Sequence, residues 1–387
     1  MRQRALAFML AMLVAVTGTA CAGTDKTQEE EKTAEADTEE VPEESEEKNE
    51  VVIGVCTPKQ PTDTWSGDVG NLKAGLEEEG WTVKVKEARD GAEQAAQIQE
   101  LADQEVSALI LAPVEPEAVS EALADYEEKE IPVISYSRLV PNTDAVNYYV
   151  GFDSEAAGQE TGKYIESAKD LENAKDAGKI YTIEFLLGDS EDLDTQFFYE
   201  GLMEVLKPYF EEGVLQSKSG RTEFMDLCLN SYQAQDSKAK TSEILSQFYG
   251  EKALDIVCVE TDQMVDGVEE ALVESSYALH SSEHPWPVLT GQDASESAIR
   301  RVLSGQQGIT VSREYELLDE SCVDILKDKL SGEKVKVNTS RKYDNGSRIV
   351  PAQLSDVQLI DLDNYKILMD MGIYTEEELE GMKTVEK

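Results

Sequence analysis

Histidine is almost missing from this 387-residue chain: His280 and His284 are the only two. They sit in the stretch HSSEH just before Pro285. A His-x3-His pair is metal spacing on a helix, whereas on a serine-containing loop it reads as a solvated connection, so no metal is expected. Nucleotide and hydrolase signatures are absent too, with no GxSxG, Walker A or GxGxxG stretch. The acidic run Asp189 to Gln196 lacks the central glycine and the spacing of an EF-hand. Its Asp192 and Asp194 have the chemistry of an acid–base pair, but in so acidic a chain they read first as a solvated face. Nothing here predicts an enzyme, a cofactor or a metal centre. Cysteine is sparse: Cys21, Cys56, Cys228, Cys258 and Cys322, with no CxxC. Cys56 and Cys258 lie in apolar runs, where a thiol packs as a small hydrophobe, so free thiols are expected. Positive charge is scarce, with 35 Lys and Arg against 80 Asp and Glu and a formal net charge of −45. Such a field repels phosphate backbones and anionic lipid headgroups, which excludes nucleic acid as a partner.

What is present begins with a leader. Arg2 and Arg4 precede an apolar run from Ala5 to Val16, the length of a secretory h-region and short for a membrane span. Gly18, Thr19 and Ala20 are small, and Cys21 follows. This resembles a bacterial lipobox, although its usual Leu is replaced by Gly18. The resemblance implies a signal segment over 1–23, lipidation of Cys21 and anchoring at the outer face of the cytoplasmic membrane. An ordinary secretory cleavage near Ala20 is the alternative. Residues 24–50 carry thirteen Asp or Glu, three Lys and no aromatic. They cannot bury enough apolar surface to offset ordering entropy, so they read as a disordered, self-repelling tether.

From Val51 onward, apolar strand runs alternate with amphipathic helices. Strands are expected at 51–56, 81–85, 108–113, 131–136 and 146–152, with helices over 67–80, 92–103 and 116–128 between them. The alternation resumes with strands at 179–187, 214–218, 254–260, 287–290 and 309–312. Its helices fall at 195–207, 234–249, 264–274, 296–303 and 315–330. Continuous apolar strands between helices predict an α/β fold with parallel sheets covered on both faces. Two consecutive halves of this kind give two Rossmann-like lobes with a cleft at the carboxyl ends of their strands. Crossings near Val150, Ser312 and Val350 divide the chain into an N-terminal lobe (51–152 with 313–349) and a C-terminal lobe (153–312 with 350–387).

Six stretches then carry a resemblance: GVCTPKQPTDTW from Gly54, SYSRL from Ser135, QFFYEGLMEVLKPYF from Gln196, TGQDA from Thr290, TVSRE from Thr310 and YDNGSRIVP from Tyr343. Together they resemble the type I periplasmic binding proteins of sugar transporters, and most nearly those for multiple monosaccharides and for xylose. The likeness runs from Val51 to Tyr374. It implies a clamshell joined by a three-strand hinge, with a pyranose between two aromatic faces and its hydroxyls met by charged and amide groups. On this resemblance Trp65 is the stacking aromatic of the first lobe and Tyr232 its counterpart. Arg138 is a guanidinium donor, Asp293 a hydroxyl acceptor, and Arg313 a basic group at the second crossing. For Asp293, capping of the helix from Glu296 is a further reading; for Asp262, capping and ligand binding stand level.

Two departures bear on specificity. Ser137 stands where the family has Asp, and Asp192-Leu193-Asp194-Thr195 where it has Asp-Asn-Asn-Ala. They point away from ordinary hexose recognition, toward a modified, smaller or deoxy sugar, or toward a cationic ligand drawn by Asp194. Lys59, in the first loop, would instead favour an acidic group. The resemblance further implies capture by lobe closure and delivery to the permease pair of an ABC transporter, which surface carboxylates would dock, by a chain acting as a monomer. A nucleoside or signalling ligand, or a sensor kinase as the recipient, is the alternative within the same fold.

Overall fold

The computed structural model describes residues 50–59, 63–250 and 253–383, with side chains from 69 onward in the first helix. The leader, Cys21, nearly all of the tether and the side chain of Trp65 lie outside what is described. The first lobe is a six-stranded sheet in the order β11-β5-β4-β3-β1-β2, parallel throughout. Its strands are β1 (Val52–Pro58), β2 (Thr82–Ala88), β3 (Ala108–Leu111), β4 (Val133–Tyr136), β5 (Val146–Phe152) and β11 (Ala352–Ser355). The second lobe has the parallel order β7-β6-β8-β9, from β6 (Tyr181–Leu186), β7 (Leu215–Gln216), β8 (Ile256–Val259) and β9 (Val288–Leu289). A short antiparallel pair, β10 (Thr310–Ser312) with β12 (Gln358–Ile360), completes the connections.

The apolar runs are continuous because each face of a strand meets a different core. In β3, Leu109 and Leu111 pack with Ile98 and Leu101 of the helix Gly91–Asp103. Ala108 and Ile110 point to the opposite side, toward Leu72, Leu76, Leu318 and Leu326. In β8, Ile256 and Cys258 face one core and Val257 and Val259 another. Cys56, Cys228, Cys258 and Cys322 are free thiols, and three of them are buried. The helix expected over 116–128 is broken into Pro116–Val119, a 3-10 turn and Ala124–Glu128. At the break the Ser120 hydroxyl bonds the carbonyls of Pro116 and Pro141, a side-chain competitor for the helix ladder.

The chain passes from the first sheet into the helix Ser154–Lys169 after Phe152, and returns after Ser312 to the helix Tyr315–Leu330. The third passage corrects the expected boundary at 349/350. β11 pairs with β5 in the first sheet and β12 with β10, so the crossing falls between Ser355 and Gln358. At the hinge, Tyr343 lies 4.8 Å from the Tyr149 ring and 5.0 Å from Phe197, which stands on the second-lobe helix Leu193–Glu211.

Candidate functional site

A cavity of about 370 Å³ opens where the carboxyl ends of both sheets meet. That is where a doubly wound sheet leaves a crevice, because neighbouring connections depart to opposite faces. Four acids line it, Asp192, Asp194, Glu260 and Asp293, and two arginines, Arg138 and Arg313. Tyr136, Tyr232 and Tyr315 supply aromatic surface, and Ser137, Thr261 and Gln263 neutral polar groups.

Local backbone geometry aims several of these side chains. After β4 the chain turns sharply at Ser137, whose φ of 62° lies in the left-handed region. Its amide donates to the Val150 carbonyl at 2.8 Å, and the Arg138 amide to the Tyr136 carbonyl at 2.7 Å. The turn presents the Arg138 side chain to the cleft, where Nη1 donates to the Val114 carbonyl at 3.3 Å and Nε lies 3.5 Å from Asp192. Asp293 and Ala294 are also left-handed, with φ of 101° and 49°. Consecutive non-glycine residues of this kind cost roughly 1–3 kcal/mol each and concentrate at ligand sites. Asp293 is not the cap of the next helix: Ser295 is, its hydroxyl accepting from the Ala298 amide. Asp293 instead receives Arg313, whose Nε donates at 2.8 Å, while the Arg313 guanidinium rests 5.7 Å from the Phe152 ring.

The opposite wall is the start of the helix Leu193–Glu211. Asp192 caps it, accepting from the Asp194 amide at 3.0 Å. Asp192 also accepts from the Tyr232 hydroxyl at 3.1 Å, and that phenol shares a hydrogen bond with Thr195 at 2.9 Å. The Tyr232 ring lies against Gly188, where any Cβ would fall 2.0 Å from a ring carbon. Glu260, at the end of β8, accepts from the Gly188 amide at 2.7 Å and the Thr195 hydroxyl at 2.9 Å. Burial pushes its carboxyl up to about 7 despite the Gly188 hydrogen bond, and Asp192 adds to the rise. Asp194 is held well above the usual carboxylate range, first by burial and then by Asp192.

Of the residues expected from the sequence, the cleft brings together Ser137, Arg138, Asp194, Tyr232, Asp293 and Arg313. Two expectations are corrected. Asp262 does not reach the cavity; it is 1 % exposed and accepts from the Ser295 amide and hydroxyl, Gln307 and Thr310. It is a buried clasp between β8 and the TGQDA turn. Lys59 is exposed and lies outside the lining; its charge is felt by Glu93, beyond the edge of β2. Sequence reasoning passed over Glu260, Tyr149 and Tyr315. Glu260 had a usable signal, an acid at the carboxyl end of an otherwise apolar strand. Tyr149 and Tyr315 sit in core-like patterns and carried none.

Comparison with known proteins gives a consistent set of likenesses. Residues 53–334 match the family described as periplasmic binding protein domain. The multiple sugar-binding periplasmic protein SbpA of Azospirillum brasilense is 30% identical over 326 residues, 84% of this chain and 90% of that one. The D-xylose-binding periplasmic protein of Escherichia coli is 25% identical over 334 residues, 85% of this chain and 93% of its own. Among solved structures, an ABC transporter solute binding protein from Clostridium phytofermentans with bound β-D-glucose superposes with a TM-score of 0.77. It is 32% identical and covers 85% of this chain and 99% of its own.

Proposed function

Because this chain belongs to the periplasmic-binding-protein family, we propose that it captures a monosaccharide-sized ligand between its lobes and hands it to an ABC permease. It is a binding protein, not an enzyme. The observation that carries the reading is the cleft itself. Donors and acceptors from both lobes converge on about 370 Å³, toward the small end of ligand pockets, which run from roughly 300 to 1,000 Å³. A pyranose has apolar C–H faces for tyrosine rings to cover, and hydroxyls that need partners once buried. Arg138, Asp192 and Asp293 supply such partners, and Trp65 is our choice for a further stacking face. Ligand that touches both lobes binds the closed state more tightly than the open one, so capture and closure are one event. Lipidation at Cys21 would hold the protein at the outer face of the membrane, with the acidic segment 24–50 as its tether.

A thermal-shift screen of the full chain against monosaccharides, sugar acids, polyols and nucleosides tests this. A ligand at a hundred times its Kd stabilises the native state by about 2.7 kcal/mol. We expect a clear rise in Tm with at least one monosaccharide or derivative, lost in Asp293→Ala and reduced in Trp65→Ala. A response confined to nucleosides would overturn the assignment of ligand class.

A further inference from the structure

Resting on that reading, we propose that the ligand carries a positive charge, that it is an amino sugar, and that Asp194 is the residue that selects its ammonium group. The argument starts from how each acid of the cleft is already satisfied. Asp293 has Arg313, and Asp192 has Arg138, Tyr232 and the helix amide it caps. Glu260 has a backbone amide and a hydroxyl. Among the described residues, Asp194 has only the Tyr149 hydroxyl, 3.3 and 3.2 Å from its two oxygens, so one proton is spread over a group with about four acceptor sites. Arg313 lies near enough to moderate its charge but is bonded to Asp293. The helix N-terminus behind Asp194 favours one negative charge and already holds Asp192.

Among the described lining residues there are four acids and two cations, and both cations are engaged. The stretch QPTDTWSGD at 60–68 contains no Lys or Arg, so it adds no further cation. Lys59, which would have favoured an acidic ligand, lies outside the lining. The approach carries the same sign. A larger hollow of about 710 Å³ adjoins the cleft through Val114, Arg138 and Asp192, and it is walled by Glu115, Glu117, Asp189, Glu191 and Asp344. Walls of one sign concentrate the opposite charge and speed its arrival. A neutral hydroxyl would supply Asp194 with a donor but no countercharge, so its carboxyl would keep the proton that burial favours. An ammonium supplies three donors and the missing charge together.

The test is calorimetry on the full chain at pH 6.5 and low salt. D-glucosamine and D-galactosamine are compared with D-glucose, D-galactose and N-acetyl-D-glucosamine. We expect one amine to bind at least tenfold tighter than its parent hexose, and the N-acetyl derivative, which has lost the charge, to bind weakest. Asp194→Asn should reduce amine affinity at least tenfold while hexose affinity holds or improves. The wild-type ratio decides the matter even if the variant misfolds. A hexose bound as tightly as its amine would overturn the inference and leave monosaccharide capture standing. Failure of every sugar and amine to bind protein that melts cooperatively would overturn both.

Discussion

Asp194 and Glu260 in the cleft and Asp262 buried behind it show how a carboxyl group meets three fates. Asp262 is buried and fully hydrogen-bonded, yet burial still pushes it up to about 7, with Asp293 adding to the rise. Glu260 reaches the same range with fewer donors. A carboxylate whose folded value is raised holds a proton in the native state that the unfolded chain has released. Stability therefore rises as pH falls from about 7 toward the unfolded value near 4.3 and declines again as pH climbs back through about 7. Urea denaturation of the ligand-free protein should accordingly show a higher midpoint at pH 5.5 than at pH 8. Glu260→Gln should flatten that dependence. Its amide can accept from Gly188 and donate to Thr195, so it keeps both contacts without the charge. Its gain over the wild type should be present at pH 8 and gone at pH 5.5. An unchanged slope in the variant would mean that Glu260 does not hold the proton.

At the scale of elements, the site depends on how closely two helices approach. Ser154–Lys169 and Leu193–Glu211 cross at Gly158 and Gly201. A Cβ on Gly158 would fall 2.0 Å from the Phe198 carbonyl oxygen, and one on Gly201 would fall 2.0 Å from that of Glu155. Both obstacles are backbone, so a methyl group must part the helices. Overpacking of this kind costs about 1–3 kcal/mol. Gly201→Ala should lower the urea midpoint accordingly. It should also weaken ligand binding, because the same helix sets Asp192 and Asp194 at the cleft. A variant as stable and as tight as the wild type would show that the crossing relaxes freely.

These elements were legible in the sequence where burial is two-sided. β3 and β8 read as strands because every residue in them is apolar. Beyond residue 330 the pattern failed. β11 (AQLS) and β12 (QLI) are short, half-exposed and mixed in character, and their partners lie far away in the chain. No local periodicity marks such a strand, which is why the third crossing was placed too early. The site divides in the same way. Arg138, Asp293 and Arg313 follow strand ends and carry a motif likeness. The role of Tyr149 exists only because β5 faces the helix start of the other lobe.

For the whole molecule, the closure proposed above turns on that same pairing. Among the described residues, polar contacts that join the lobes across the cleft include the Tyr149 hydroxyl with Asp194, Arg138 with Asp192 at 3.5 Å, and Arg313 with Asp293. Each favours the closed arrangement: the Tyr149 hydrogen bond by about 0.5–1.5 kcal/mol, and the partly exposed Arg138–Asp192 pair by about 0–1 kcal/mol. Tyr149→Phe removes one of them and leaves the Asp194 carboxyl without the Tyr149 donor. A loss of 1.4 kcal/mol shifts the open-to-closed ratio about tenfold, and apparent affinity falls with the fraction of protein that is competent to close. Small-angle scattering of the ligand-free variant should therefore give a larger radius of gyration than the wild type. The liganded forms should coincide, and the Kd should rise several-fold. Equal radii without ligand, together with an unchanged Kd, would mean that the three crossings and the aromatic packing around Tyr343 hold the lobes together without help from the polar bridge.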